Sequence, residues 1–437
     1  GSTISNNRVY HNTGTGIQAS QSSLLGNVVY SNARGITWNG GGAYVLRNNL
    51  VYGNSQNGIA ITGNTLQVIN NTVVQDAGNA IGIDNASNIK LFNNILWSGA
   101  SFALSVSSNS QVGFESDYNL FYTTGLAAVG QWQGTSRNSL SAWRVASFTD
   151  ANSLFADPQF VDRDGADGVV GFVSALQDGR DDDLHLGSLY GSSHGGSLAP
   201  VRDGVSGLPV AAAISVVSDG VQSVGIDRGR ASDSSALEPQ PNGGFINIGA
   251  YGGTAQASRS PSQYITVFAA NGGESVPQES TYDIRWRAHG FTGNVDIEVS
   301  ADAGGSWTLL ADSELNDGSF AWVVNPAQFA VGSRYLVRVT AEVDPAITDV
   351  SDRVFTVTEP INLYYVNLAG DADARLRELE GQRGRERDRE VLPGDEREVH
   401  AQTDVRVHDA AGQEVPLRRE HRRQVRDGAD LADAVHL

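Results

Sequence analysis

Short apolar runs recur along the first 122 residues at intervals of about 22 residues. Each run is three or four residues long, contains at least two β-branched or aromatic residues and follows an asparagine. Asn, Ser and Gly are common between the runs. The leading asparagines are Asn7, Asn27, Asn49, Asn71, Asn94 and Asn119. Helical repeats would need longer apolar patterns, and leucine-rich repeats would need a Leu-x-x-Leu-x-Leu phrase that is absent. The pattern therefore predicts a solenoid of short strands, a parallel β-helix over residues 1–122.

The repeat also predicts which side chains stack. Asn tolerates left-handed backbone angles at sharp corners, and its amide can bond to the matching Asn on adjacent turns, so the leading asparagines should form a ladder. A second ladder is expected at Asn12, Asn32, Asn54 and Asp76. A third column is aromatic or branched: Tyr10, Tyr30, Tyr52, Val74, Trp97 and Tyr122. Two placements fit this column, stacked rings inside the core or a sugar-stacking stripe on the outside.

Residues 263–358 follow a different pattern, in which apolar and polar positions alternate with a period of two. The clearest strands are residues 282–287, 295–300, 320–324 and 335–340. About 95 residues and roughly seven strands predict an Ig-like or fibronectin-III-like β-sandwich, with Trp286 as its core tryptophan. The predicted fold class is therefore all-β, a parallel β-helix followed by a β-sandwich.

Composition limits the classes of function. The 437 residues include no Cys, which excludes disulfides and thiolate metal sites, and no stretch approaches the roughly 20 apolar residues needed to span a membrane. The net charge of −19 argues against a nucleic-acid partner, whose phosphates would be repelled. Scarce lysine with abundant Asn, Ser, Thr and Asp favours an extracellular or cell-surface location. Because the sequence opens inside a repeat without an initiator Met, we expect a piece of a longer multidomain protein.

The end of the sequence, residues 359–437, is rich in arginine, with 13 Arg after residue 361 and almost no aromatic residues after Tyr365. Such a composition is not expected to form a packed core. Two interpretations fit it. One is a genuine charged segment, disordered or helical, and the other is a reading-frame shift, since a GC-rich gene shifted by one base yields Arg-rich, Lys-free protein. The nucleotide sequence distinguishes the two.

Acidic residues concentrate in residues 150–240, which hold 14 Asp and Glu against 5 Arg. Within this segment, Asp162, Asp164 and Asp167 lie in one Gly-containing loop. Calcium takes about six to eight oxygen ligands, so this spacing suits Ca²⁺, although the distal Glu of an EF-hand is missing. The loop is therefore predicted to be either a calcium site or a solvated acidic turn.

The candidates for catalysis are Asp182, Asp183 and His185, with His194 close by in sequence. Buried carboxylates in such a group would have a raised pKa and could act as acids, and the same side chains could bind a metal. The alternative is that adjacent Asp residues in a loop are simply solvated. In addition, His185 stands between two leucines, and on a strand it would project away from both of them.

Four later phrases resemble a known family: residues 153–162, 182–186, 223–229 and 241–254. They are similar to the closing turns of secreted bacterial right-handed parallel β-helix repeat proteins of the pectate-lyase-like superfamily. The resemblance covers residues 1–262, and it implies that residues 123–262 form irregular terminal turns, acidic loops and a cap. Residues 283–286 and 300–307 resemble an Ig-like module that follows β-helices in bacterial surface proteins and occurs in fungal cell-wall assembly proteins. Both resemblances imply a fold more firmly than an activity.

Two functions remain open. The first is an extracellular or cell-surface structural or adhesive module that contacts a polysaccharide or cell-surface glycan. The second is a polysaccharide lyase, glycoside hydrolase or epimerase with its site on the flank of the β-helix or in residues 123–203. Such an enzyme needs a base beside acids on neighbouring turns, whereas Arg8, His11 and Lys90 occupy different repeat positions. A groove of convergent acids and a base would indicate the enzyme, and a smooth Asn, Ser and Thr face would indicate the module.

Overall fold

The computed structural model describes residues 1–195, 201–207, 209–210 and 213–360, together with the backbone of two short strands further on. The chain divides into two compact units. The first comprises residues 1–264 with 288–291, and the second comprises residues 265–287 and those from 292 onward. Apart from one short helix, the regular structure of the described ranges consists of β-strands. The predicted all-β class is confirmed.

The first unit opens with a coil of short strands, in which each turn of the repeat adds strands to two sheets. The elements of the coil are β1 (Thr3–Ser5), β2 (Arg8–Tyr10), β3 (Thr15–Ser20), β4 (Ser23–Leu25), β5 (Val28–Tyr30), β6 (Arg34–Arg47), β7 (Leu50–Tyr52), β8 (Ile59–Ile69), β9 (Thr72–Gln75), β10 (Ile81–Phe92), β11 (Ile95–Ser98), β12 (Phe102–Val106), β13 (Glu115–Asp117), β14 (Leu120–Thr123), β15 (Ala128–Trp132), β16 (Thr135–Arg137), α1 (Leu140–Ser147) and β17 (Leu154–Phe155). The second sheet has the order β17-β14-β11-β9-β7-β5-β2, and the other strands form the first sheet. Pairing between successive turns is parallel, as in β2–β5 and β5–β7, which confirms the predicted parallel β-helix.

The interior of the coil is apolar because side chains alternate across each strand. In the second sheet, the middle residue of each run points inward. These residues are Val29, Val51, Val73, Leu96 and Phe121, all 0% exposed. They pack against inward-pointing side chains of the first sheet such as Ile36 and Leu46. Complete burial of one such side chain contributes about 1.5–3 kcal/mol, so this core is the main source of stability in the coil.

The predicted ladder of leading asparagines is continuous. At each step, the backbone N–H and the Nδ2 of one Asn donate to the Oδ1 of the next, over 2.9–3.1 Å. The corner itself is made by the preceding residue, which has a positive φ. These corner residues are Asn6, Gly26, Asn48, Asn70, Asn93 and Tyr118. We expected a single asparagine to form both the corner and the ladder. In the structure, the first of two consecutive residues forms the corner and the second forms the ladder.

The second ladder is shorter than predicted. It joins Asn12, Asn32 and Asn54. Asp76 does not extend it, because its carboxylate is exposed and lies 3.3 Å from the guanidinium of Arg163. The preceding Gln75 is fully buried instead. Strand β9 is one residue longer than β7, which shifts Asp76 past the corner.

The last turn of the coil is closed by α1 and the loop after it. Leu140 and Trp143 of the helix belong to the apolar core of the coil. The indole N–H of Trp143 donates to Asp150 Oδ2 over 2.7 Å. The last ladder asparagine, Asn119, donates its backbone N–H to Ser153 Oγ and its Nδ2 to Asp150 Oδ1. Helix, loop and ladder therefore end together, with their polar groups paired.

The described residues between 156 and 258 leave the coil, and several of them pack on the outer face of its second sheet. We call these described residues the cover segment. Its strands are β18 (Phe160–Asp162), β19 (Phe172–Ser174), β20 (Gln177–Asp178), β21 (Asp183–Leu186), β22 (Ser192–His194), β23 (Val201–Arg202), β24 (Pro209–Val210) and β25 (Ser215–Val217). They pair two by two in antiparallel fashion. Corner residues of the coil bind the segment directly, since Asn48 Nδ2 donates to the carbonyls of Ala250 and Gly252.

The aromatic column has neither of the two predicted placements. Its rings stack with centroid separations of 5.0 Å for Tyr10–Tyr30 and 4.9 Å for Tyr30–Tyr52. They project outward from the coil, yet Tyr30 and Tyr52 are buried because the cover segment packs on them. Their hydroxyls donate to the carbonyls of Asp178 and Gly179 over 2.9 and 3.0 Å. The column thus joins the coil to the cover segment.

The second unit contains two sheets. Its strands are β26 (Tyr264–Ala269), β27 (Ser275–Pro277), β28 (Thr281–His289), β29 (Val295–Ser300), β30 (Thr308–Glu314), β31 (Ser319–Val323), β32 (Gly332–Ala341), β33 (Thr348–Val350) and β34 (Phe355–Thr358). Strands β26, β28 and β31 form one sheet, and the other six form the second. Trp286 is 2% exposed, as expected of a core tryptophan. Trp322 and Phe355, one from each sheet, meet at a centroid distance of 6.2 Å.

After residue 360, the structure describes only the backbone of β35 (Arg375–Leu376) and β36 (Arg389–Glu390), an antiparallel pair. The two interpretations of the Arg-rich residues 359–437 therefore concern residues that lie almost wholly outside the described ranges. Where the chain is described, no helix combines the length and the apolar content that crossing a membrane would require.

Candidate functional site

The structure brings together two of the four candidate catalytic residues, Asp183 and His185, and gives Asp182 and His194 other partners. Asp182 accepts a hydrogen bond from Gly171 N over 2.7 Å. Asp183 Oδ1 lies 2.6 Å from His185 Nδ1. His194 Nε2 lies 2.9 Å from a different carboxylate, that of Asp219. Consecutive residues of an extended chain project in opposite directions, which is why Asp182 and Asp183 have different surroundings.

The side chain of His185 is buried, with polar contacts at both ring nitrogens and an aromatic ring against one face. The ring is 0% exposed, and its Nε2 lies 3.0 Å from Gln256 Oε1 while its Nδ1 contacts Asp183. One face of the ring stacks on Tyr251, with the ring centroids 3.5 Å apart. Both ring nitrogens thus have protein partners. A general base must reach the proton that it removes, and in this arrangement neither nitrogen of His185 faces a substrate. The arrangement fits a side chain that organises the cover segment.

The carboxyl of Asp183 is suited to that structural role. Burial by itself would raise its pKa, but the hydrogen bond and charge of His185 outweigh burial and hold the pKa below its usual value. Gly195 N also donates to Asp183 Oδ2, over 3.2 Å. Asp183 therefore stays ionised at neutral pH and anchors two parts of the cover segment.

Asp182 has the opposite electrostatics. Burial raises the pKa of its carboxyl to about 7, and the negative charges of Asp181 and Asp167 add to the rise. The hydrogen bond from Gly171 N and the nearby hydroxyl of Tyr52 only partly compensate. Its Oδ1 is buried and has no hydrogen-bond partner. A carboxyl of this kind is partly protonated at neutral pH and can donate a proton, the property expected of an acid catalyst.

His194 belongs to a second, separate pair at the surface. Asp219 accepts hydrogen bonds from Ser188 N and from Ser192 Oγ, both over 2.6 Å, as well as contacting His194. In a serine-type triad the hydroxyl bonds to the histidine, so that the imidazole can take its proton. Here the hydroxyl of Ser192 donates to the carboxylate instead. The group joins β22 to the loop after β25 and does not have the geometry of a nucleophilic site.

The predicted calcium loop does not assemble a ligand set of three. Asp167 Oδ1 accepts from Val169 N over 2.8 Å, and its backbone N donates to Asp181. Partial burial, together with repulsion from Asp164 and Asp183, raises the pKa of Asp162. Among the described residues, the group of three carboxylates whose oxygens lie within 4.8 Å of one another is elsewhere, at Asp296, Asp312 and Glu342 in the second unit. Asp162, Asp164 and Asp167 are not part of that group, and a calcium site at this loop stays a prediction.

Glu238 is a buried acid that the sequence analysis missed. Its Oε1 accepts hydrogen bonds from Asn247 N and Gly253 N over 2.8 and 2.7 Å, while its Oε2 is buried without a partner. Burial raises the pKa of this carboxyl to about 7. A single Glu among Ala, Leu and Pro gives no signal in the sequence, because its environment is built by residues that follow it along the chain.

The outer face of the first sheet carries the exposed pair Lys90–Glu115 and, at other positions, a column of uncharged residues. One set of residues occupies matching positions on successive turns and projects away from the core; we call it the polar column. It consists of Gln18, Thr37, Ala60, Gly82, Ser105 and Gln131. Paired strands lie about 4.8 Å apart, so the residues of the column repeat at that interval. Gln18, Ser105 and Gln131 supply its amide and hydroxyl groups, whereas Ala60 and Gly82 supply none and the Thr37 hydroxyl is buried. The column carries no charged residue.

The family comparison agrees with this architecture. Residues 1–73 and 20–131 match the family model described as a right handed beta helix region. The two overlapping matches span the repeats of the coil, so this part of the chain is a right-handed β-helix repeat. No curated protein and no solved structure gives a significant match to the chain.

Proposed function

We propose that the chain is an extracellular or cell-surface structural module, in which the coil presents its polar column to a neutral glycan and the second unit is an Ig-like module. The observation that carries this proposal is the uncharged polar column on the outer face of the first sheet. A surface of amides and hydroxyls can exchange hydrogen bonds with sugar hydroxyls without the cost of desolvating a charge.

The distribution of the other chemical groups supports the same function. Two rings of the aromatic column, Tyr30 and Tyr52, are buried under the cover segment, whereas Tyr10 is 42% exposed. The histidines considered as bases are bound to Asp183 and Asp219. Glycan contact through the polar column therefore depends on hydrogen bonds, which favours weak binding repeated over several turns.

Retention on insoluble polysaccharides, with simultaneous assay for released sugar, tests the proposal. We expect the full chain to bind a neutral glycan with or without Ca²⁺ and to release neither reducing ends nor unsaturated uronate from neutral or acidic glycans. Gln18→Glu with Ala60→Glu should weaken binding at least tenfold, since bulk and charge are placed on the polar column. Val343→Glu, at a 61% exposed position of the second unit, is the matched control. Cleavage, or binding unaffected by the column substitutions, would overturn the proposal.

Asp182 supports a second candidate function, a polysaccharide lyase, glycoside hydrolase or epimerase. Its pKa of about 7 is suited to general acid catalysis. This candidate predicts glycan cleavage with a pH profile that falls above pH 7 and that is abolished in Asp182→Asn. Immunolabelling of intact producing cells would test the surface location, which both functions share.

A further inference from the structure

One hairpin of the cover segment lies on the stacked tyrosines of the coil. It consists of residues 171–180, where β19 and β20 pair in antiparallel fashion, and we call it the lid hairpin. The hydroxyls of Tyr30 and Tyr52 donate to Asp178 O and Gly179 O, over 2.9 and 3.0 Å. Both acceptors belong to the backbone of the lid hairpin, which therefore occupies the polar edges of these two rings.

The lid hairpin is attached to the coil at its base and faces solvent at its tip. Near the base, Phe172 N donates to Ser31 Oγ over 2.7 Å. At the tip, Val173 and Leu176 are 63% and 90% exposed. The later part of the cover segment is attached by corner asparagines of the coil, such as Asn70, whose Nδ2 donates to two backbone carbonyls there. A hairpin held at its base can open locally while the rest of the segment stays in place.

Two glycines stand at the base of the lid hairpin. Gly171 and Gly179 have φ values of +78° and +68°, in the region that favours glycine. A Cβ at Gly179 would lie 2.8 Å from Tyr30 Cε2 and 2.9 Å from Gly171 Cα, which is too close for either contact. The closed base therefore requires glycine at this position. Glycine at both ends also gives the backbone the freedom that a hinge uses.

Asp182 closes the base of the lid hairpin. Its Oδ2 accepts a hydrogen bond from Gly171 N over 2.7 Å, which joins the two ends of the hairpin. Its Oδ1 is buried and has no hydrogen-bond partner among the described residues. Burying a carboxylate with an unpaired oxygen costs more than burying a neutral carboxyl in the same place.

The groups around Asp182 favour its neutral form. Within the cover segment, the charges of Asp181 and Asp167 repel a carboxylate at this position. On the coil side, the nearby groups are the phenol of Tyr52 and the guanidinium of Arg8, which acts on that phenol. Burial and the repulsion together raise the pKa of Asp182 to about 7. An open lid hairpin would let water solvate the carboxylate.

We propose that the lid hairpin closes when Asp182 is protonated and opens when Asp182 ionises, and that opening presents the phenols of Tyr30 and Tyr52 to solvent. The closed state binds the proton more tightly than the open state, in which the carboxyl has its ordinary pKa of 3.8. The open fraction should therefore rise between about pH 4 and 7, by at most about tenfold per pH unit, and stay constant above that range. The inference does not depend on the proposed glycan function.

Hydrogen exchange of the full chain, resolved to single amides, tests the proposal. The Gly171 and Phe172 amides report opening, because their acceptors in the closed state are Asp182 and Ser31. After correction for intrinsic pH dependence, their exchange should rise at least tenfold from pH 5 to pH 7 and level off above pH 8. Asp182→Asn, which carries no charge, should reduce this rise to less than threefold, whereas Glu238→Gln should leave it intact. An equal rise in Asp182→Asn, or no rise in the unsubstituted chain, would overturn the proposal.

A glycine substitution opens the lid hairpin without a titration. Gly179→Ala places a Cβ against Tyr30 and Gly171, so exchange of the two reporter amides at pH 5 should accelerate at least tenfold and hydroxyl-radical labelling of the two covered tyrosines should increase. Gly168→Ala is the matched control, since Gly168 has a similar φ of +70° but, within the described ranges, no atom beyond its chain neighbours lies within 4 Å of an added Cβ. Equal acceleration in both variants would contradict the proposal. Exchange in β21 as fast as in the lid hairpin at every pH would also contradict it, because the cover segment would then open as one unit.

Discussion

A ladder asparagine in the middle of the coil satisfies several polar groups at once. Asn49 Oδ1 accepts from the backbone N–H and the Nδ2 of Asn27, and its own N–H groups donate to Asn71 Oδ1 and to Leu24 O. All of these groups are buried, where an unpaired donor costs about 1–3 kcal/mol. The side chain therefore matters more for the groups that it pairs than for its own packing.

We expect Asn49→Ala to lower the free energy of unfolding of the first unit by roughly 2–4 kcal/mol, because two donors of Asn27 lose their acceptor. Asn7→Ala is the matched control. The Asn7 side chain is exposed, and its Oδ1 accepts no hydrogen bond from the described residues, so the loss should be below about 1 kcal/mol. Urea denaturation followed by intrinsic fluorescence measures both values. Equal losses would show that the ladder contributes little.

At the scale of elements, the cover segment carries two carboxyls whose behaviour depends on pH. Burial raises the pKa of Asp182 and of Glu238 to about 7, above the ordinary values of 3.8 and 4.5. The unfolded chain therefore loses these protons at a lower pH than the folded chain does. Between about pH 4.5 and 7, the unfolded state binds fewer protons, and stability falls as pH rises. Asp183 acts oppositely, because its lowered pKa adds stability that is lost only under more acidic conditions.

Glu238→Gln should make the free energy of unfolding less dependent on pH between about pH 4.5 and 7. One group can change the free energy of unfolding by at most about 1.4 kcal/mol per pH unit, and the substitution removes that contribution while keeping the side-chain volume. Hydrogen exchange of amides in the cover segment, corrected for intrinsic pH dependence, is the measurement. Glu115→Gln, in an exposed pair with Lys90, should leave the profile unchanged. A profile identical in all three proteins would place the titration elsewhere.

At the scale of the whole molecule, the chain forms two compact units, and the first of them combines a coil with its own cover. The aromatic column forms one of two apolar contacts between these two parts, and the other joins Ile95 and Leu120 to Ile226. Tyr30, Tyr52 and Val74 of the coil pack with Leu184, Ala250 and Tyr251 of the cover segment. Coil and cover are therefore expected to unfold together.

Tyr52→Ala should loosen the cover segment along with the coil. Removing a buried aromatic side chain costs about 3–5 kcal/mol, and here it also removes the hydrogen bond to Gly179 O. Hydrogen exchange in β20 and β21 should accelerate at least tenfold. Leu126→Ala, at a 96% exposed position, should change neither exchange nor stability. Faster exchange confined to the coil would show that the two parts unfold separately.

Much of the coil could be predicted from local pattern. The period of about 22 residues placed the asparagines of the leading ladder and the members of the aromatic column in register, because each turn repeats the same chemistry at the same position. The second ladder failed at Asp76, where one extra residue in β9 shifts the position. The candidate site could not be predicted in the same way. Asp182, Asp183, His185 and His194 are close in sequence, yet alternation along an extended chain separates Asp182 from Asp183, and Asp219 captures His194.

The sequence by itself determined that the chain begins as a β-helix and which residues form the leading ladder, since those contacts join copies of one repeated phrase. Only the tertiary structure decided which face of the coil remains exposed. It also decided how burial shifts the pKa of Asp182 and Glu238 in the cover segment. The cover segment carries no repeat that would mark its partner, and it reaches Tyr52 from Gly179 across 127 positions of the chain. The packing of the cover segment buries the aromatic column and desolvates Asp182, while the polar column stays outside. No local pattern in the sequence encodes this packing.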